Sequence, residues 1–223
     1  GTDVVKIIRI VVIGFILLVV GFASTTQISA GSRGVVLKLG AVEDKIFGEG
    51  FHFKTPFIES VQEMSVQTQL YSVKASAATK DLLDVSTSVA VNYKIIDTSV
   101  NKLYQEVGLG YEERVIAPAV SEIVKATTAK FDASELITER SVVKEQMEQA
   151  LRERLLTRGI NIESISITEY TFPESFNSAI TRKQTAVQDA LAAQNKLEQV
   201  KFEADMARTQ ASGRADSGVI EAK

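Results

Sequence analysis

The chain has 223 residues, 45% of them apolar, with 25 Lys and Arg against 28 Asp and Glu and a net charge of −3. That is enough apolar material for one ordinary domain plus an appendage, it argues against global disorder, and the near-balance of charge excludes a nucleic-acid binder held by a broad basic surface. With no Cys and a single His, disulfide frameworks, thiolate sites, cysteine nucleophiles and His-rich metal centres are excluded too, so composition points away from most enzyme chemistries.

The first element is apolar all round. From Ile10 to Ser32 no charge interrupts the chain, and Arg9 and Arg33 close the stretch. The residues expected inside a bilayer are Ile10, Val11, Val12, Ile13, Phe15, Ile16, Leu17, Leu18, Val19, Val20 and Phe22. The purely apolar part, Ile10 to Ala23, covers only about 21 Å as helix, short of the roughly 30 Å hydrocarbon core. Val4, Val5, Ile7 and Ile8 extend it on one side, with Lys6 and Arg9 snorkelling, and Ser24–Ile28 can extend it on the other. A cleaved signal peptide fits the basic start, but no small-x-small cleavage site follows. A buried soluble helix would be amphipathic, and this run is not. The expectation is therefore an uncleaved anchor over residues 1–27, single-pass. Lys6 and Arg9 place the N-terminus on the cytoplasmic side and the bulk of the chain on the non-cytoplasmic side.

Residues 28–172 read as an α+β domain. Val35–Leu39 is a strand, with Gly40, Gly48 and Gly50 as turns. Phe51, Phe53, Phe57 and Ile58 form an apolar run with two open readings, core or a hairpin dipping into the membrane interface. Val85, Thr87, Val89, Val91, Tyr93 and Ile95 alternate with polar residues as a half-buried strand. Helical spacing follows at Val100, Leu103, Tyr104 and Val107. It recurs at Val120, Ile123, Val124 and Thr127, where Pro118 is tolerated only in a first turn. Asp132 and Glu135 make a capping pattern. Val143, Met147, Ala150, Leu151 and Leu155 mark a longer helix stopped by Gly159. Ile160, Ile162, Ile165 and Ile167 form a last strand whose spacing slips by one, which predicts a bulge or an edge.

Residues 173–223 contain no strand pattern. Ala186, Ala190, Ala193, Leu197, Val200, Ala204, Ala207 and Ala211 are spaced 4-3-4-3-4-3-4, the period of a coiled-coil-type helix contact. The segment from Glu174 to Lys223 carries seven basic and seven acidic residues, interspersed. Each Ala in place of Leu gives up about 2 kcal/mol of burial, so an isolated two-stranded coil of this kind is marginal. In a parallel pair Glu203 faces Arg208, an attraction, and Lys196 faces Lys201, a repulsion. Phe202 and Met206 lie on another flank. These features predict a lateral array, each helix touching neighbours on two sides, with the anchor raising effective concentration. Gly213 and Gly218 loosen its end.

Several stretches resemble the SPFH superfamily (stomatin, prohibitin, flotillin and related membrane proteins), and within it the prohibitins. They are Ser32-Arg33-Gly34-Val35-Val36, Gly50–Phe57, Thr79-Lys80-Asp81, Ala129–Arg140, Arg158-Gly159-Ile160, and Phe172-Pro173-Glu174-Ser175-Phe176 with Ala179-Ile180 and Lys183-Gln184. The likeness runs in order from about residue 28 to 205. It implies an anchored protomer whose band 7 domain and long helix assemble into a large ring or cage enclosing a membrane patch. The implied setting is a bacterial plasma membrane or a mitochondrial inner membrane. Implied partners are the lipid bilayer, further copies or a paralogue, and a membrane-bound AAA-type protease that the assembly restrains.

No cofactor, metal or nucleic acid is expected. His52 lacks a nucleophile motif beside it, Asp81 and Asp84 read as a strand-entry turn, and Gly108-Leu109-Gly110 lacks the third glycine of a dinucleotide loop. The expectation is a non-enzymatic membrane scaffold. The alternatives are a small-oligomer protease regulator without a closed cage, and an enzyme dependent on His52.

Overall fold

An unbroken apolar run can satisfy its own backbone as helix, and Thr2–Ala23 is one helix, α1. Its 22 residues reach about 33 Å, enough for a hydrocarbon core. The computed structural model describes the backbone of residues 2–220 and the side chains of residues 3–214. Gly1 and residues 221–223, the extremities of the anchor and of the Ala-rich segment, lie outside the described residues.

The expected extension of the anchor through Ser24–Ile28 is corrected. Ser24 Oγ donates to the Val20 carbonyl (2.6 Å) and Thr25 Oγ1 to that of Phe22 (3.0 Å), consuming the last turn's acceptors. The chain then leaves as strand β1, Thr25–Ile28, antiparallel to β4, Gly50–Phe53. All the length the anchor needs comes from its N-terminal side, where Val4, Val5, Ile7 and Ile8 are exposed helix residues.

A second sheet has the order β3-β2-β5, with β2 at Ser32–Lys38, β3 at Ala41–Phe47 and β5 at Glu59–Ser65. Its core joins Ile28, Val36 and Phe47, with Val61 packed against them. The expected strand Val35–Leu39 is shifted: Leu39 falls in the two-residue β2–β3 turn, between the paired Lys38 and Ala41. Strands β3 and β5 escape periodicity because both are edges, β3 mostly exposed and β5 mostly half-buried, so neither shows a clean apolar alternation.

The third sheet has the order β6-β7-β8, with β6 at Gln69–Ala78, β7 at Asp84–Ile95 and β8 at Ile160–Thr171. The alternating β7 is its centre, with Val85, Thr87, Val89, Val91, Tyr93 and Ile95 all buried. The slip expected between Ile162 and Ile165 is a bulge: Tyr93 pairs Ile162 while Asn92 pairs Ser164, leaving Glu163 as the extra residue. Strand β8 is also an edge.

Helices follow β7: α2 at Val100–Glu106, α3 at Ala117–Thr128, α4 at Ala133–Thr138 and α5 at Arg140–Leu156. Helix α3 packs on β6 and α5, and α5 packs on β8. Pro118 sits in the first turn of α3, directly after the π-helical Glu112–Ile116. The Asp132 N–H donates to Glu135 Oε2 (2.8 Å), the capping pattern made real. A π-helical turn at Glu112–Ile116, which no periodicity announced, precedes α3. It carries Glu112 to the hydroxyl of the fully buried Tyr93, which also lies 3.4 Å from the Tyr111 hydroxyl. Burial first, then the Glu112 bond, raises the Tyr93 phenol above its usual range, so it stays protonated. Gly159, at φ +76°, is required twice over: a Cβ there would lie 2.4 Å from the Ser99 Cβ.

The chain divides into two compact units, residues 1–171 and 172–223. The second is a single helix, α6, Glu174–Ile220, whose 47 residues reach about 70 Å. Ahead of it the Phe172 ring lies 4.9 Å from that of Phe176. The helix runs through Gly213 and Gly218 without a break.

Candidate functional site

Strand β4 hangs directly on the end of α1. Thr25 pairs Phe53, and the Lys54 N–H donates to the Ser24 carbonyl (2.8 Å). Alternation sends Phe51 and Phe53 to one face, where their rings meet edge to face at 5.3 Å. His52 goes to the other, half-buried, its ring stacked on Phe47 at 4.5 Å and its Nε2 2.7 Å from the Gly48 carbonyl oxygen. Those contacts give His52 a packing role in the turn.

Of the two readings of the aromatic run, core is the one the structure rules out. Phe53 is 73% exposed and Phe57 83%, and Phe51 and Ile58 are exposed with them. The structure adds Leu39, 80% exposed, which sequence reasoning missed. Its N–H donates to the Ile58 carbonyl (2.9 Å), so the β2–β3 turn and the Phe57–Ile58 corner share one end of the sheet. Leu39 at φ 50° and Phe57 at φ 63° hold a left-handed backbone that suits Gly or Asn. A bulky apolar residue there gains nothing from packing and costs conformational energy. The available signal was Leu39-Gly40 between two strands, a two-residue hairpin whose first position usually carries Asn. Lys38 and Lys54, adjoining Leu39 and Phe53 in sequence, flank the apolar edge with positive charge.

The eight seam residues Ala186, Ala190, Ala193, Leu197, Val200, Ala204, Ala207 and Ala211 are exposed on α6. Val187, Leu191, Phe202 and Met206 are exposed as well. They form a second, broader stripe centred about 160° around the helix from the alanines, by 3.6-residue geometry. Phe202 and Met206 were foreseen as another flank; Val187 and Leu191 were not, because they abut the seam in sequence. The helix thus presents one stripe made mostly of alanine, with Leu197 and Val200, and one of large side chains only.

Asp81 and Asp84 lie at the β6–β7 turn. The Asp81 carboxylate accepts the Thr79 hydroxyl (2.6 Å) and the Ala133 N–H (3.1 Å), and the Thr79 bond leads in holding it below the usual carboxylate range. Among the described residues no group of three or more acidic, His or Cys side chains converges as a metal site would require.

A model of the SPFH domain / Band 7 family matches residues 26–211. Prohibitin-1 of Saccharomyces cerevisiae is 34% identical over 195 residues, 87% of this chain and 68% of that protein. Prohibitin-1 of Schizosaccharomyces pombe is 35% identical over 212 residues, 95% of this chain and 74% of its own length. A Caenorhabditis elegans protein named Mitochondrial prohibitin complex protein 1 is 31% identical over 206 residues, 91% of this chain and 75% of that one.

Proposed function

Since the chain belongs to the SPFH domain / Band 7 family and is similar to prohibitins, we propose that it is a non-enzymatic, single-pass membrane scaffold. Its copies close into a large ring or cage around a membrane patch. One observation carries this reading: a 47-residue helix whose described residues carry two exposed apolar stripes. Exposed apolar stripes of that length mark an interaction surface. Small residues on one side let a neighbouring backbone approach, and large ones on the other supply the buried area. The two stripes face different directions, so each copy contacts two neighbours, and a heterologous contact of that kind extends into a ring or a filament. A relative's name places it in a mitochondrial prohibitin complex, which supports self-association or pairing with a paralogue here.

Residues 1–27 anchor the assembly, with Ile10 to Phe22 spanning the bilayer. Residues 28–172 form the membrane-proximal domain, whose Phe51, Phe53, Phe57 and Ile58, joined by Leu39, sit in the interfacial layer. Residues 173–223 form the wall. The bulk lies on the non-cytoplasmic side of a bacterial plasma membrane or a mitochondrial inner membrane. The enclosed patch organises lipids and client proteins and restrains a membrane-bound AAA-type protease.

Negative-stain images and native mass of the full chain in mild detergent test the reading. Closed rings of many subunits support it. Compact low-order species favour the small-oligomer regulator, and a monomer at high concentration overturns both.

A further inference from the structure

Two features of the folded domain lie at opposite ends of α3. At one end is the β6–β7 turn. Ala78 and Asp84 are the last paired residues, Thr79 N–H donates to the Leu83 carbonyl (2.9 Å) and Leu82 N–H to that of Thr79 (3.0 Å). This closes a three-residue loop whose left-handed position falls on Leu82, at φ 60° and 86% exposed, where glycine is the usual occupant. The tip is held in place: Asp81 is bonded to Thr79 and Ala133, and Lys80 N–H donates to the Phe131 carbonyl (2.9 Å). Asp81 and Asp84 flank Leu82, and Lys80 precedes them; both aspartates are exposed. The projecting chemistry is a leucine between carboxylates.

At the other end is an open cleft of about 680 Å³ between α2, α3 and α5. Val107, Val115 and Pro118 give it an apolar lining, and Arg114, Arg154 and Arg158 outweigh the one lining carboxylate, Glu106, to leave it positive. Arg154 pairs with Glu122 (2.7 Å) and Arg158 with Glu106 (3.3 Å). Arg114 donates to the Val107 carbonyl (3.0 Å) and has no carboxylate partner among the described residues. Cleft and tip are complementary in charge and in apolar character. They cannot meet within one copy. The Thr128 hydroxyl pins the C-terminal end of α3 to the Ala78 carbonyl beside the tip (3.3 Å), while Pro118 at the N-terminal end lines the cleft. Roughly 15 Å of rigid helix separates them.

We propose that the Asp81–Asp84 tip of one copy docks in the Arg114/Arg154/Arg158 cleft of the next, a head-to-tail contact between folded domains. The inference rests on the scaffold reading and adds to it a second contact, outside α6, that sets the direction in which copies follow one another. A tip-to-cleft contact is heterologous, so one copy uses both surfaces and the chain of contacts propagates. Complementary charge fixes the register.

The chain has no cysteine, so introduced ones report without background. Full-length copies carrying Leu82→Cys are mixed with copies carrying Thr157→Cys, a cleft-lining position, in detergent-extracted particles, and oxidised. A covalent dimer is expected from the mixture and none from either variant alone. Copies carrying both changes should give a ladder of dimers, trimers and higher species. Arg114→Glu with Arg158→Glu should lower the mixed yield about tenfold through like-charge opposition, and Asp84→Arg on the tip-bearing copies should restore it. Intact particles without any cross-link overturn this contact and leave the scaffold standing, as does Leu82→Cys linking to itself. If the unmodified chain forms no particles, the scaffold reading fails and this contact with it.

Discussion

Leu39, Phe57 and Leu82 are the non-glycine residues with positive φ among those described, and all three side chains are exposed. A left-handed backbone costs an L-residue about 1–2 kcal/mol, and here no packing offsets it. Leu39→Asn is therefore expected to stabilise the detergent-solubilised protein by on the order of 1 kcal/mol in denaturant unfolding. A lower midpoint would mean that Leu39 packs inside the protein after all. Gly159→Ala works in the opposite sense. It adds a strained φ and a clash with Ser99, and should cost about 1–3 kcal/mol by the same measurement. Asp81 supplies a pH test. Its folded carboxyl lies below the ordinary value, so the stability it contributes is present above that value and disappears as pH falls through the folded one. Asp81→Asn should flatten the acid limb of the stability profile; an unchanged limb would show that the Thr79 and Ala133 bonds do not favour the ionised form. Hydropathy placed Phe57 in the apolar run but singled out neither Leu39 nor Leu82, because an exposed leucine in a turn looks like any other loop residue until its backbone angle is known.

Legibility of the elements followed their burial. Strand β7 and helix α5 could be read directly: each buries one face, so their apolar residues recur at the period of the element. Strands β3, β5 and β6 could not. Two are edges of one sheet and the third an edge of another, and their Glu, Lys, Ser and Ala residues carry little periodic signal. The π-helical turn before α3 was invisible for a different reason: it has no apolar period of its own, and its Glu112 is partnered with Tyr93 on another element. Helix α6 is the case where an exposed element still shows a clear period; under the scaffold proposal that period belongs to contacts with other copies. Ala193→Glu with Ala204→Glu should leave α6 helical and membrane insertion intact while dispersing the particles to small species in native mass measurements. Unchanged particle size would exclude the alanine stripe as a contact.

For the whole molecule, the apolar edge is proposed to sit in the bilayer interface beside α1. The absence of tryptophan allows a direct measurement. Phe57→Trp in the full chain, reconstituted in vesicles of brominated lipid, should be quenched by bromines near the headgroup and less by those deep in the acyl chains. Absence of quenching would place the edge in water and remove the interfacial role. The sequence by itself determined that the chain has an apolar helix able to cross a membrane, an α+β domain and a long helix with a repeated stripe, because each follows from local composition and period. Only the tertiary structure decided that the aromatic run is exposed at the foot of the anchor, that Leu39 joins it, and that a carboxylate-flanked leucine and an arginine cleft lie at opposite ends of α3. Those are relations between residues distant in the chain, and strand register and helix packing, not local propensity, bring such residues together or hold them apart.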